Sequence, residues 1–213
     1  MNAKMRLIQM LENVSDKDNL QFTLASLAIY IGLYEAFSDM VEGHVESFLC
    51  QDCSLNSEGT LAFKSSDLYR AKIKKRIVDE KGNKDILKAT MLWFVEEGAI
   101  TQAEYDNFLI LKEYRNSYVH QMCDHILNGL TEDDAKATVQ LFELYTKVDK
   151  WWINEIEIPI MGELSPDGYD PDDVMSVAAG FFYMMFQTLF GEESQECKDM
   201  ICDAKNKFGE EPK

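Results

Sequence analysis

The sequence predicts an all-α protein, a bundle of long antiparallel helices joined by loops. Three observations carry that expectation. No proline precedes Pro159 and glycine is sparse, so little interrupts a helix over most of the chain. Apolar residues return every three or four positions over long spans, the helical period. No segment makes a convincing strand: Ile156-Glu157-Ile158-Pro159-Ile160 alternates, but it is short and broken by proline.

Met5 to Val14 reads as a short first helix with Met5, Leu7, Ile8 and Leu11 as its apolar positions. Ser15 or Asp16 supplies a cap for the next element. A long helix is expected from Leu20 to about Cys50, because Leu24, Leu27, Ile31, Tyr34, Phe37, Val41, Val45 and Phe48 keep the helical step. The polar tract Ser54 to Ser66 reads as a loop. Ser66-Asp67 opens a basic helix to about Asp79, Lys81-Gly82-Asn83 is a turn, and Ile86 to Glu97 is a helix ending near Gly98. Thr101-Gln102-Ala103-Glu104 has the capping-box pattern, with Glu three residues after Thr. The helix it starts is expected to run through His120 toward Leu127 and stop at Gly129. Thr131 starts another, to about Glu157. Glu163 to Asp173 is an acidic loop, Asp170-Pro171 opens an apolar helix through Leu189, and Glu192 to Phe208 is amphipathic. Residues 1–160 are expected to form the bundle, with 161–213 a helical extension packed on the same domain.

The chain has 213 residues, 46% of them hydrophobic and 28% charged, which suits a globular domain and excludes a disordered chain. The best apolar run, Leu24 to Leu33, leads into Glu35 and Asp39 and reads as too short for a bilayer. The N-terminus has no secretory-signal pattern. Five cysteines, an odd number, suit a reducing compartment. A cytoplasmic protein with no membrane contact is the expectation. The formal net charge of −17 opposes general nucleic-acid affinity, although local clusters matter more than the sum. The main cluster is Arg70, Lys72, Lys74, Lys75 and Arg76, followed by Lys81, Lys84 and Lys88. It reads either as a solvated helix face or as a track for an RNA backbone.

The run Arg115-Asn116-Ser117-Tyr118-Val119-His120 carries the chemistry. An imidazole can take a proton from a ribose 2′-OH or give one to a leaving oxygen. A guanidinium can neutralise charge growing on a phosphate, and an asparagine amide can fix the phosphate or orient the histidine. Asn116 and His120, four apart, share a helix face, whereas Arg115 and His120, five apart, diverge. Either a long arginine curls back, or two copies meet across a two-fold axis and pool their residues as a homodimer. A purely structural role is also open, with Arg115 paired to a carboxylate and His120 satisfied in the interior.

Arg-Asn-x-x-x-His on a helix that follows a long early helix resembles the HEPN superfamily. These are small all-α proteins, many of them metal-independent endoribonucleases of toxin–antitoxin and anti-phage systems. The resemblance covers about residues 20 to 158 and implies an RNA substrate, no cofactor, and an antitoxin or regulatory protein as a possible partner. It implies Arg115, Asn116 and His120 as catalytic residues. The early helix, GLYEAFSDMVEGHVESFL, adds Glu35, with Asp39 behind it, as the acidic residue near the site, and Tyr118 is a further supporting candidate. Some members carry Tyr two residues after the His, where this chain has Met122. Others have lost activity and act as binding or regulatory modules, the alternative here.

Remaining clusters have plainer readings. Cys50, Cys53, Cys197 and Cys202 together supply four thiolates, the set for a zinc site, but the pairs are far apart and buried free cysteines are the commoner case. His44 and His125 stand alone, and the acidic loop around Asp170 lacks EF-hand spacing. Trp93, Trp151 and Trp152 read as core or interface anchors.

Overall fold

A computed structural model describes residues 3–50, 52–55, 59, 61–162 and 169–191. Its helices are α1 (Ala3–Ser15), α2 (Lys17–Leu49), a short α3 (Asp67–Tyr69), α4 (Ile86–Glu96), α5 (Gln102–His120), α6 (Met122–Asn128), α7 (Glu132–Trp152), a short α8 (Ile158–Met161) and α9 (Val177–Phe190). Among the described residues these helices are joined by turns and loops, and the strands are confined to one small hairpin.

The 33-residue α2 is the axis of the molecule. Asp16 caps it, its carboxylate accepting from the backbone N–H groups of Asp18 and Asn19 at 3.0 Å. Leu27, Tyr30, Tyr34, Phe37, Val41 and Val45 repeat at steps of three and four, all buried against α4, α5 and α7. This helix corrects the reading that the apolar run here is too short for a bilayer. By length and hydropathy it passes for a membrane span. Its apolar stripe is nonetheless committed to the protein core, and Glu35 and Asp39 stand on its exposed side.

α5 is fixed to α2 by the Tyr30 hydroxyl, which donates to the Leu111 carbonyl at 2.8 Å inside the core. Phe108 sits between Tyr34 and Phe37 of α2. The capping box at its start is present: the Glu104 N–H donates to Thr101 Oγ1 at 3.2 Å, and the Thr101 N–H to Glu104 Oε2 at 2.7 Å. α7 begins with a second such box, Thr131 with Asp134. α4 stops at Gly98, whose φ of 81° is the left-handed turn glycine adopts without strain. A Cβ there meets no atom within 4 Å. Gly98→Ala therefore carries only the backbone cost, and a urea titration should show a loss of about 1 kcal/mol.

Trp93 and Trp152 are buried in an aromatic cluster with Phe48, Phe94 and Trp151. His44 stacks flat on Trp152 at 4.4 Å. α9 packs on α2 and α7 through Phe182 and Phe186, which meet Tyr145 and Phe142.

The structure departs from the sequence reading at five places. The expected loop holds two antiparallel strands, β1 (Asp52–Leu55) and β2 (Leu61–Lys64), whose register sets Cys53 opposite Phe63 and Leu55 opposite Leu61. Alternating apolar positions were present there, but four residues per strand is a short signal. The basic helix is cut short: after Tyr69 the chain widens into a π-helical segment, Arg70–Lys74, and leaves helical geometry after Lys75. Asp79 then folds a turn, accepting from the N–H groups of Lys81 and Asn83 at 2.9 and 3.0 Å. The helix through His120 breaks at Gln121 (φ −123°, ψ 28°), and α6 resumes in a new direction. α6 leans on α1, where the Asn13 amide donates to the Leu127 carbonyl at 2.9 Å. The helix expected at Asp170 begins only at Val177, capped by Ser176. Finally, α1 keeps Met10 and Asn13 half-buried and turns Leu7, Ile8 and Leu11 to solvent.

Candidate functional site

Two helix faces meet to make a cleft. Glu35, Asp39 and Glu42, spaced four and three apart, share one face of α2, and Lys112, Arg115 and Asn116 share one face of α5. These six residues, with Tyr34, line a cleft of about 320 Å³ between the helices. The sequence reading contained Glu35, Asp39, Arg115 and Asn116. It missed Tyr34, Glu42 and Lys112, although the spacing of the carboxylates was there to be read.

Arg115 is 30% exposed and Glu35 is 49% exposed. Arg115 Nε and Nη2 both donate to Glu35 Oε1, at 2.9 and 2.6 Å. Nη1 donates to Asn116 Oδ1 at 3.5 Å. The guanidinium carbon lies 5.9 Å from the centre of the Tyr34 ring, a cation–π approach. A guanidinium has five N–H groups. Three are engaged in these bonds, so two remain for another acceptor. Lys112 pairs with Asp85, the capping residue of α4, at 2.7 Å. Burial raises the Glu42 carboxyl above the usual range, reinforced by Asp85, Asp39 and Glu46. The cleft is therefore balanced at its two cations and acidic along its α2 wall.

His120 does not line this cleft. It is the last residue of α5 and is exposed, one turn beyond Asn116 on the same face, about 6 Å along the axis. Val119 and Met122 beside it are exposed as well. A single chain thus joins Arg115, Asn116, Glu35 and Asp39, and holds His120 apart from them.

Tyr118, the further supporting candidate, does not line the cleft. It is buried, and its hydroxyl donates to Asp134 Oδ1 at 2.6 Å. It packs edge-on against Tyr30 and against His125. His125, read as a lone histidine, meets Ser117 Oγ through Nε2 at 2.9 Å. In an unbroken helix residues eight apart lie about 12 Å apart along the axis. The break at Gln121 is what brings them together.

The basic tract stands apart from the cleft. Arg76 forms a two-pronged pair with Glu96 at 2.8 and 3.1 Å, Arg70 pairs with Asp67 at 3.6 Å, and Lys74 lies over the Tyr69 ring at 5.3 Å. Lys72 and Lys75 are exposed. Of the four cysteines weighed for zinc, Cys50 is buried; the side chain of Cys53, and Cys197 and Cys202, lie outside the described residues. Among the described residues, no group of three or more His, Cys, Asp or Glu is placed to hold a metal ion.

No protein family, no curated protein and no solved structure matches this chain.

Proposed function

We propose that this protein is an endoribonuclease of the HEPN type whose active centre is completed by a second copy of the chain. The observation that carries the reading is the arrangement along α5: Arg115 and Asn116 side by side in an open cleft, and His120 one turn further on the same face, exposed beside Val119 and Met122. The exposed apolar residues beside the histidine mark a face that a second copy can cover, bringing two sets of Arg115 and His120 to one axis.

The reaction needs no group beyond these side chains. The ribose 2′-oxygen attacks the adjacent phosphorus as a histidine takes its proton. The bond from phosphorus to the 5′-oxygen breaks, and that oxygen takes a proton from water, which regains one from the imidazolium. The products are a 2′,3′-cyclic phosphate and a 5′-OH. Arg115, with two N–H groups unengaged, stabilises charge on the phosphate oxygens, and Asn116 positions them. Each centre takes Arg115 and Asn116 from one copy and a single His120 from the other.

The test is RNA cleavage in EDTA with end groups analysed. Wild-type protein should leave cyclic phosphate and 5′-OH ends, and undiminished cleavage by His120→Ala would sink the assignment. One observation favours a non-catalytic module instead: Glu35 already occupies Arg115 at 2.6 Å. That reading requires purified wild-type protein to leave RNA intact.

A further inference from the structure

We infer that the lysine-rich stretch from Lys72 to Lys88 is a docking surface for the phosphate backbone of single-stranded RNA, leading a strand to the cleft of Arg115. This rests on the ribonuclease reading and adds to it the surface that holds the substrate. Residues 70–88 carry eight cations against three carboxylates, Asp79, Glu80 and Asp85, in a chain whose net charge is −17. Carboxylates are in excess, and other cations take them: Lys112 pairs with Asp85, Arg115 with Glu35, Lys136 with Asp133 and Lys147 with Glu104. Lys72, Lys74, Lys75, Lys81, Lys84 and Lys88 do not. None of the six is in an ion pair among the described residues, and all but Lys88 are exposed. Two of the three nearby carboxylates are already engaged. Asp79 accepts from the N–H groups of Lys81 and Asn83, and Asp85 caps α4 and holds Lys112. A positive local field of this kind, on an otherwise acidic protein, draws a polyanion to one place.

The stretch also leads somewhere. Its first part, Arg70–Arg76, stands apart from the cleft, and Arg76 is anchored on Glu96, the last residue of α4. The chain then turns at Asp79, where the Val78 N–H donates to the Asn83 carbonyl at 3.0 Å. It arrives at Asp85, at the opposite end of α4. The 11 residues of α4 span roughly 16 Å. That length matches four or five phosphates at about 3.4 Å each. Asp85 bonds Lys112 at 2.7 Å, and Leu87 lines the cleft with Lys112 and Arg115. Lys84 is the residue before Asp85, and the Lys88 N–H donates to the Asp85 carboxylate at 3.0 Å. The line of lysines therefore ends at the α5 wall of the cleft. Leu68, Ile77 and Ile86 are exposed among the lysines, so an anionic membrane is the competing partner. RNA is favoured by where the line ends: a strand bound along it arrives at Arg115, a path that lipid headgroups have no use for.

The test is the triple variant Lys75→Gln/Lys81→Gln/Lys84→Gln. These side chains are exposed and outside ion pairs, so the melting temperature should match wild type. Binding is followed by fluorescence anisotropy with a 2′-O-methylated RNA oligonucleotide of mixed sequence, which has no 2′-OH to attack with, over a series of salt concentrations. Each phosphate neutralised on a single strand contributes about −0.7 to the slope of log affinity against log salt. The variant should bind at least about tenfold more weakly, with a slope shallower by about 2. On unmodified RNA its KM should rise with kcat held, because Arg115, Asn116 and His120 are untouched. The control Lys4→Gln/Lys17→Gln/Lys136→Gln removes the same charge from α1, α2 and α7 and should leave binding within about twofold of wild type. Wild-type affinity in the triple variant would overturn the inference, and so would an equal loss in the control. Vesicles of anionic phospholipid form the second arm. If the triple variant loses vesicle binding and keeps RNA binding, the surface belongs to lipid and the inference falls. If wild-type protein binds RNA through these lysines and never cleaves it, the ribonuclease reading fails and the docking surface stands. Cleavage by the triple variant at wild-type KM removes the docking surface alone, and wild-type protein that binds no RNA ends both.

Discussion

Asp134→Ala should destabilise the fold by about 3 kcal/mol, read as a shift in the urea midpoint. Asp134 is 7% exposed and does two jobs. At the start of α7 its Oδ2 accepts from the Thr131 N–H at 2.7 Å and from the Thr131 hydroxyl at 2.6 Å, closing the capping box. Its Oδ1 takes the buried Tyr118 hydroxyl. Losing half of a cap costs about 1 kcal/mol. Stranding a buried hydroxyl costs about 1–3 kcal/mol more. Thr131→Ala, which loses only the cap, should cost about 1 kcal/mol, and that contrast checks the division. The effect should also depend on pH. Burial alone would raise the Asp134 carboxyl, but hydrogen bonds from Thr131 and Tyr118, with His125 nearby, hold it below the usual range. A carboxylate depressed in the folded state stabilises it fully above its unfolded value, about 3.9. That contribution is lost as pH falls through the lower folded value. The gap between wild type and Asp134→Ala should therefore narrow from pH 6 toward pH 3.

Much of this frame was legible because it is local. Thr101 with Glu104 and Thr131 with Asp134 each fall within four residues, and Gly98 and Gly129 stand just past helix ends. The α2 stripe could be read because one long helix carries eight apolar residues at seven successive steps of three or four. The features that escaped depend on residues far apart in sequence. Nothing in Gln121 announces a break; it is held by what α6 then reaches, Asn13 of α1 and Ser117 of α5. The solvent-facing apolar side of α1 escaped for the same reason, since periodicity marks a face without saying which side it turns. Arg115, Asn116 and Glu35 were legible as residue types. Their meeting in one cleft and the separation of His120 from it were not, because they depend on how α2 crosses α5.

That separation leads to the prediction with the largest effect. Arg115→Ala and His120→Ala should each lower the cleavage rate about a thousandfold, the scale for losing an electrostatic stabiliser or a general acid–base group. Mixing the two inactive proteins should then restore activity. In a centre pooled across a two-fold axis, Arg115→Ala contributes two histidines and no arginine, and His120→Ala the reverse. A mixed pair holds one of each, drawn from different copies. Equal mixing with free exchange makes half of the pairs mixed, so activity should recover to within about tenfold of wild type. A centre confined to one chain behaves differently: every molecule in the mixture lacks one essential group, and the rate stays at the sum of the two variants. Dilution gives an independent check, because a paired enzyme loses specific activity below its dissociation constant and a self-contained one does not. A mixture no faster than its parts, with wild-type activity proportional to concentration, would remove the second copy from the mechanism. Arg115 would then have to leave Glu35 and reach His120 along its own helix, five residues and about 7.5 Å of rise away.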